Sequence, residues 1–157
     1  MTDPAAATRV ATAQITGARD YQEDSLTVHT PARGMHAGEW LLVLADGMGG
    51  HVGGEMASRL VVEHFSRTYA NSSGNLPDSL RSCLNAANEQ LANAVAKTAE
   101  LRGMGTTLVG CVIREELLYW ISVGDSPLWV FRDAALQRLN ADHSMVPLLE
   151  DMVRTGV

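Results

Sequence analysis

The stretch Trp40-Leu41-Leu42-Val43-Leu44-Ala45-Asp46-Gly47-Met48-Gly49-Gly50-His51 decides the fold. Its first six residues are an unbroken apolar run. The run has the length of a strand buried on both faces and is far too short to span a membrane. It stops at an aspartate and passes into a glycine-rich loop. A strand end is rigid, and glycine lets backbone approach a ligand closely. Asp46 is therefore the first residue to examine for chemistry.

Upstream of this run, residues 25–29 alternate polar and apolar, with Leu26 and Val28 on one face of a half-buried strand. Val10, Ala13 and Ile15 give residues 8–15 the same reading. Residues 1–7 are small and polar and read as a flexible tail. Downstream, Met56, Leu60, Val61 and Phe65 recur at helical spacing over residues 53–69. Residues 71–77 form a loop, with Asp78 as candidate N-cap of a second helix. Leu80, Leu84, Ala87, Leu91 and Val95 carry that helix to about Glu100, where Gly103-Met104-Gly105 breaks it. Residues 106–113, 117–123, 127–132 and 136–139 read as short strands in an antiparallel meander. Residues 144–154 return to helical spacing. This order implies an α+β layered fold, with sheet packed on sheet and helices outside.

The bulk numbers agree with one globular domain. The chain has 157 residues, 46% hydrophobic and 19% charged, with a formal net charge of -6. That balance repels phosphate backbones, and no Lys/Arg cluster overrides it, so nucleic acid is excluded as a partner. Cys83 and Cys111 lack zinc-ligand spacing and read as buried small hydrophobes of a reducing compartment. There is no apolar secretory core near the N-terminus and no membrane-length run. The default is a cytoplasmic protein.

Three acidic clusters stand out: Arg19-Asp20-Tyr21-Gln22-Glu23-Asp24, Asp46-Gly47 and Gly124-Asp125-Ser126. Each has an ordinary reading. Asp-Gly after a strand is a turn, Glu23-Asp24 is a solvated pair, and Arg19 is a surface ion-pair partner. His51 and His143 read as hydrogen-bonded loop residues, and Met56, Met104, Met145 and Met152 as core filler. Taken together, carboxylates at strand ends with neither a cysteine set nor a histidine cluster select a hard cation, Mg²⁺ or Mn²⁺. Such ions acidify water for attack on phosphorus. Arg19 can grip two phosphate oxygens in a fork. The glycine loop is no nucleotide loop, because it lacks the Walker lysine and a Gly-x-Gly-x-x-Gly run.

In this order and spacing the clusters resemble the metal-dependent protein serine/threonine phosphatase (type 2C) family in its bacterial form. Arg19 to Asp24 resembles its first motif and Leu44 to His51 its signature. Gly105-Thr106-Thr107, Val123 to Ser126 and Asp142-His143-Ser144 resemble later ones. The likeness covers residues 8–157, the N-terminal two-thirds of the domain. It implies an α-β-β-α fold: a layered β-sandwich of antiparallel sheets flanked by helical pairs, incomplete at the C-terminus. It also implies two Mg²⁺ or Mn²⁺ ions bridged by Asp46, with the Gly47 carbonyl on one. Glu23 and Asp24 would hold or orient bound waters, Arg19 would bind the substrate phosphate, and Asp125 would belong to a weaker third site.

The implied activity is hydrolysis of phosphoserine or phosphothreonine by metal-activated water. Phosphorylated proteins, and a eukaryote-like serine/threonine kinase whose work is reversed, are the implied signalling partners of a monomer. Gln22 replaces the usual Asn, Met48 stands where animal members carry a His, and Pro127 replaces a common Arg. Two further metal aspartates of the family have no counterpart in residues 145–157, where Asp151 stands in a helical context. The expectation is a weakened metal site, an unpaired sheet edge and low activity for this polypeptide alone. The alternative is a catalytically incomplete relative that binds phosphoprotein or serves as a regulatory scaffold.

Overall fold

A computed structural model describes residues 10–30, 36 and 38–155. The flexible tail expected over residues 1–7 and most of the turn before Trp40 lie outside them. The centre is an antiparallel sheet ordered β1 (Asp24–His29), β2 (Trp40–Met48), β4 (Leu108–Arg114), β5 (Leu117–Val123). The two-residue β3 (Gly105–Thr106) pairs only with the end of β2. Helices α1 (His51–Ala70) and α2 (Leu76–Lys97) form a pair on one face, α1 against β1, β2 and β3, α2 against α1 and β5. A separate hairpin, β6 (Trp129–Arg132) with β7 (Ala135–Arg138), precedes α3 (Val146–Thr155). The α+β class with antiparallel sheets and a helical pair is as the sequence implies.

The two faces of β2 are unlike. Leu41, Val43 and Ala45 point to the helices and are buried, whereas Leu44 on the other face is 41% exposed. The expectation of burial on both faces therefore holds on one. The core joins those three residues to Leu108 and Val112 of β4, Val61, Phe65 and Tyr69 of α1, and Leu80, Cys83 and Ala87 of α2. Gly110 makes room for this packing, since a Cβ there would stand 2.7 Å from Phe65 Cζ. On the opposite face Leu26, Leu42, Leu44, Val109 and Cys111 floor an open cavity of about 450 Å³. Ala11 to Ala13 and Pro127-Leu128 stand at its rim. Both cysteines are buried and free, and burial pushes each thiol up to about 11.

Several boundaries differ from the sequence reading. Residues 10–16 form no strand and have no ladder partner among the described residues; the consecutive Ala11, Thr12 and Ala13 line the open cavity instead. The α2 cap is Asn75, not Asp78. Its side chain accepts from the Asp78 N–H at 2.9 Å and donates to the Asp78 carboxylate at 2.7 Å, while Pro77 occupies the first turn. The helix stops at Lys97, and Ala99–Leu101 adds a 3₁₀ turn. The meander divides after Val123, because Pro127 has no N–H to donate and β6 begins only at Trp129. Met104 is buried and Met56 packs beside it, but Met145 and Met152 are exposed on and beside α3.

Beside the start of β2 lies a buried polar knot that no motif announces. Glu39 accepts from the Tyr69 hydroxyl, from Arg114 Nε at 2.7 Å and from its Nη2 at 2.6 Å, and meets His36 Nδ1 at 3.1 Å. The other His36 nitrogen is 3.1 Å from the Ser72 carbonyl, which ties the loop after α1 to the sheet. Burial raises the Glu39 pKa, but the Tyr69, Arg114 and His36 hydrogen bonds together lower it below its usual value. A folded-state pKa below the unfolded one stabilises above the ordinary glutamate range and stops doing so as pH falls through the folded value.

Glu39→Gln should therefore lose about 2–3 kcal/mol in urea unfolding at pH 7, as expected for a buried charge partner removed. The gap between variant and wild type should shrink as pH drops below about 4.

Candidate functional site

The site is set by the phase of one ladder. The Gly47 N–H donates to the Glu23 carbonyl at 3.1 Å, which makes Gly47 and Glu23 a hydrogen-bonded pair. The next pair along, Asp24 opposite Asp46, then falls in the non-hydrogen-bonded phase, where facing side chains come closest. Both carboxylates lie on the sheet face away from the helices, at the end of β2. Partial burial, then Asp24, then Asp125 raise the Asp46 pKa, and Arg19 opposes them. Three other residues singled out from sequence, Arg19, Asp24 and Asp125, thus all act on Asp46.

Glu23 goes elsewhere. Its side chain turns toward α1, where a Cβ on Gly54 would stand 2.7 Å from its carboxyl carbon. Its Oε1 is buried without a hydrogen-bond partner among the described residues. Its carbonyl also accepts from the Ser58 hydroxyl of α1. Gly47 lies between these layers, and a Cβ there would be 2.0 Å from the Gly54 carbonyl oxygen. Asp46 and Gly47 are not in a loop, as the glycines suggest. β3 pairs with Gly47 and Met48 and carries β2 through to Met48. The loop shrinks to Gly49 and Gly50, whose φ of 129° and 72° need glycine.

Arg19 sits on an exposed turn that Gly17 opens with a φ of 65°. Gln22 ties this turn to β1, donating to the Ile15 carbonyl at 3.3 Å and accepting from the Asp24 N–H at 3.1 Å. Asp125 is held through its carbonyl by Arg138 Nη2 at 3.0 Å. Arg138 also meets Asp142 at 3.2 Å, and Asp142 accepts from the Ser144 N–H at 2.8 Å. The Ser144 bonds, then Arg138, lower the Asp142 pKa. His143 Nδ1 accepts from the Gly124 N–H at 3.3 Å, which gives it a bracing place. The His51 side chain lies outside the described part. Sequence reasoning missed Ser58, Arg138 and Asn140, which touch backbone and form no acidic pattern.

Among the described residues, no three carboxylate, imidazole or thiol side chains close on a point as a complete ion cage. The residues nevertheless fit a hydrated hard cation. Asp46 and Asp24 face each other across the ladder, and burial, then Asp24, raise the Asp46 pKa, while among the described residues the buried Glu23 Oε1 has no hydrogen-bond partner; a cation would relieve both. Magnesium keeps several waters and takes few direct protein ligands.

The profile of the family described as Protein phosphatase 2C matches residues 21–146. The chain belongs to the protein phosphatase 2C family. It is 36% identical over 118 residues to the serine/threonine protein phosphatase PstP of Mycobacterium tuberculosis, an alignment covering 74% of this chain and 23% of that protein. It is 31% identical over 121 residues to the serine/threonine phosphatase stp of Listeria monocytogenes, covering 74% and 47%. The PstP catalytic domain solved with two manganese ions superposes with a TM-score of 0.71 at 36% identity, over 87% of this chain and 56% of that one. Staphylococcus aureus Stp1 gives 0.73 at 33%, over 88% and 53%. The chain thus spans half or less of the length of these curated relatives.

In this protein phosphatase 2C chain, the contact of β2 with α1 sets a packing test. Gly47→Ala should lower stability by about 2 kcal/mol or more, because backbone faces backbone. Gly105→Ala should be nearly neutral by thermal unfolding, since its nearest neighbour is a flexible Met48 side chain at 3.5 Å.

Proposed function

We propose that this chain carries the acidic and phosphate-binding half of a protein serine/threonine phosphatase site, acting on phosphoserine and phosphothreonine in proteins. The observation that carries the reading is the gathering of Asp24, Asp46 and Asp125 with Arg19 at one end of β2. Family membership and the manganese-bound relative support it. Asp46 would bridge two Mg²⁺ or Mn²⁺ ions, with the Gly47 carbonyl on one of them and Asp125 at a third site. When bound, the ions supply an acidified water for attack on phosphorus.

The protein's own groups do the rest. Arg19, on an exposed turn anchored by Gln22, would grip two oxygens of the incoming phosphate as a fork. Asp24 would orient water beside Asp46, and the partnerless Glu23 Oε1 would hold another against α1. The net charge of -6 disfavours nucleic-acid phosphates, and no described helix is long and apolar enough to cross a membrane. A cytoplasmic monomer that reverses a eukaryote-like kinase completes the reading.

Calorimetric Mn²⁺ titration should show binding at millimolar metal or tighter, abolished by Asp46→Asn. No binding by the wild type would leave the carboxylates as ordinary residues of a scaffold. Where the ion binds, Mn²⁺-dependent hydrolysis of a phosphothreonine peptide separates an enzyme from a phosphoprotein-binding relative. Arg19→Lys should raise KM about tenfold with a smaller change in kcat.

A further inference from the structure

The sequence predicts one strand over residues 106–113, yet the ladder is interrupted at Thr107, between β3 and β4. The interruption lies opposite Asp46. Because Asp46 is in the non-hydrogen-bonded phase toward β1, its N–H points to the other edge of β2. There it meets a side chain in place of a strand carbonyl: Thr107 Oγ1 accepts from the Asp46 N–H at 3.0 Å. The Thr107 N–H returns a bond to the Asp46 carbonyl at 2.9 Å, and Thr106 Oγ1 donates to the same carbonyl at 2.9 Å. Both backbone groups of Asp46 are thus held by the two threonines.

Thr107 reaches further. Its Oγ1 lies 2.7 Å from Ser126 Oγ, in the loop that carries Asp125. Gly124 permits the approach, since a Cβ there would stand 2.7 Å from Thr107 Cγ2. The far side of the loop is pinned by Asn140, whose Nδ2 donates to the Ser126 carbonyl at 2.9 Å and whose Oδ1 accepts from the Leu128 N–H at 2.8 Å. Thr107 is 2% exposed and Asn140 7% exposed, so water competes for few of these bonds. A chain of contacts runs from the Asp46 amide through two hydroxyls to the Asp125 loop.

We infer that Thr107 is a positioning residue, which through its bridge to Ser126 sets the Asp46 carboxylate and the Asp125 loop at a fixed spacing for the cations. Repelling carboxylates drift apart unless their backbones are held, and the hydroxyl bridge is what joins these two segments. The inference rests on the proposed metal site. Side chains that orient ligands from behind typically alter metal affinity 10–100-fold. The serine hydroxyl of Thr107→Ser can make the same two bonds, whereas valine keeps the shape and makes neither.

The test is Mn²⁺ titration of the ¹⁵N-labelled chain, read as paramagnetic broadening of backbone amides, which reports even millimolar affinity. Broadening should centre on Asp46 and Gly47. Thr107→Val should raise the midpoint 10–100-fold, and Thr107→Ser should restore it to within about threefold. Ser126→Ala, at a half-buried loop position, should raise it several-fold while the other amide shifts stay native. Both Ser126→Ala and Thr107→Val giving the wild-type midpoint, while Asp46→Asn abolishes broadening, would overturn the inference and spare the metal site. Should Thr107→Val fail to fold, an unchanged midpoint in Ser126→Ala alone overturns it. Absence of broadening at Asp46 in the wild type would instead strike the proposed function itself.

Discussion

Everything at this site follows from two carboxylates facing each other across a ladder in its narrow phase. Asp24 opposite Asp46 is an arrangement that sheet energetics disfavours, since like charges directly opposite are destabilising. The cost at an exposed edge is on the order of 1 kcal/mol, small enough to tolerate and large enough to need a reason. The apolar register upstream enforces the arrangement. Leu26 opposite Leu44 and Val28 opposite Leu42 put apolar residues on one face, and a one-residue slip would send every one of them to the other. Once the hydrophobic pattern fixes the register, the position of the charges is no longer free.

The same phase rule separates Glu23 from its neighbour. Adjacent residues near a strand start project to opposite faces, so Asp24 joins Asp46 while Glu23 turns back against α1. This divides the acidic cluster between the two sides of the sheet. It also explains why glycine is required at both Gly47 and Gly54, where strand, helix and the Glu23 carboxylate come within contact distance. The helix is thereby part of the site, and a shift of α1 would move Glu23 relative to Asp46.

Much of this was legible in the sequence, and the failures have a common cause. Local patterns located β1, β2, both long helices and β4 to β7 to within a few residues. The acidic residues were found because Asp beside Gly at strand ends is conspicuous. What local pattern could not give was anything set by a partner distant in the chain. Asp46 read as a loop residue because the extension of β2 depends on Gly105 and Thr106, about sixty positions away. The break at Thr107 was invisible because threonine is a good strand former. Nothing local marks Glu39, which flanks an apolar run; its partners Tyr69 and Arg114 lie far along the chain. Among the described strands β6 and β7 pair only with each other, and strand spacing did not separate this hairpin from β5.

The two ends of β2 show what the strand is for. At its start, Glu39 is nearly enclosed and its charge is met by Arg114, Tyr69 and His36, so this buried charge is balanced. At its finish, Asp46 faces Asp24 and feels Asp125, with Arg19 in opposition. One strand of nine residues thus joins an electrostatically satisfied anchor to an unsatisfied tip. The satisfied end uses long-range side-chain bonds that make the fold rigid. The unsatisfied end is held by bonds from Thr106 and Thr107 to the Asp46 backbone, which leave its carboxylate free of them. A structure that only needed to be stable would have paired the tip as it paired the start. Leaving negative charge in excess where the backbone is held hardest is the arrangement a cation site requires, since the ion then supplies the missing positive charge without having to order the protein around it.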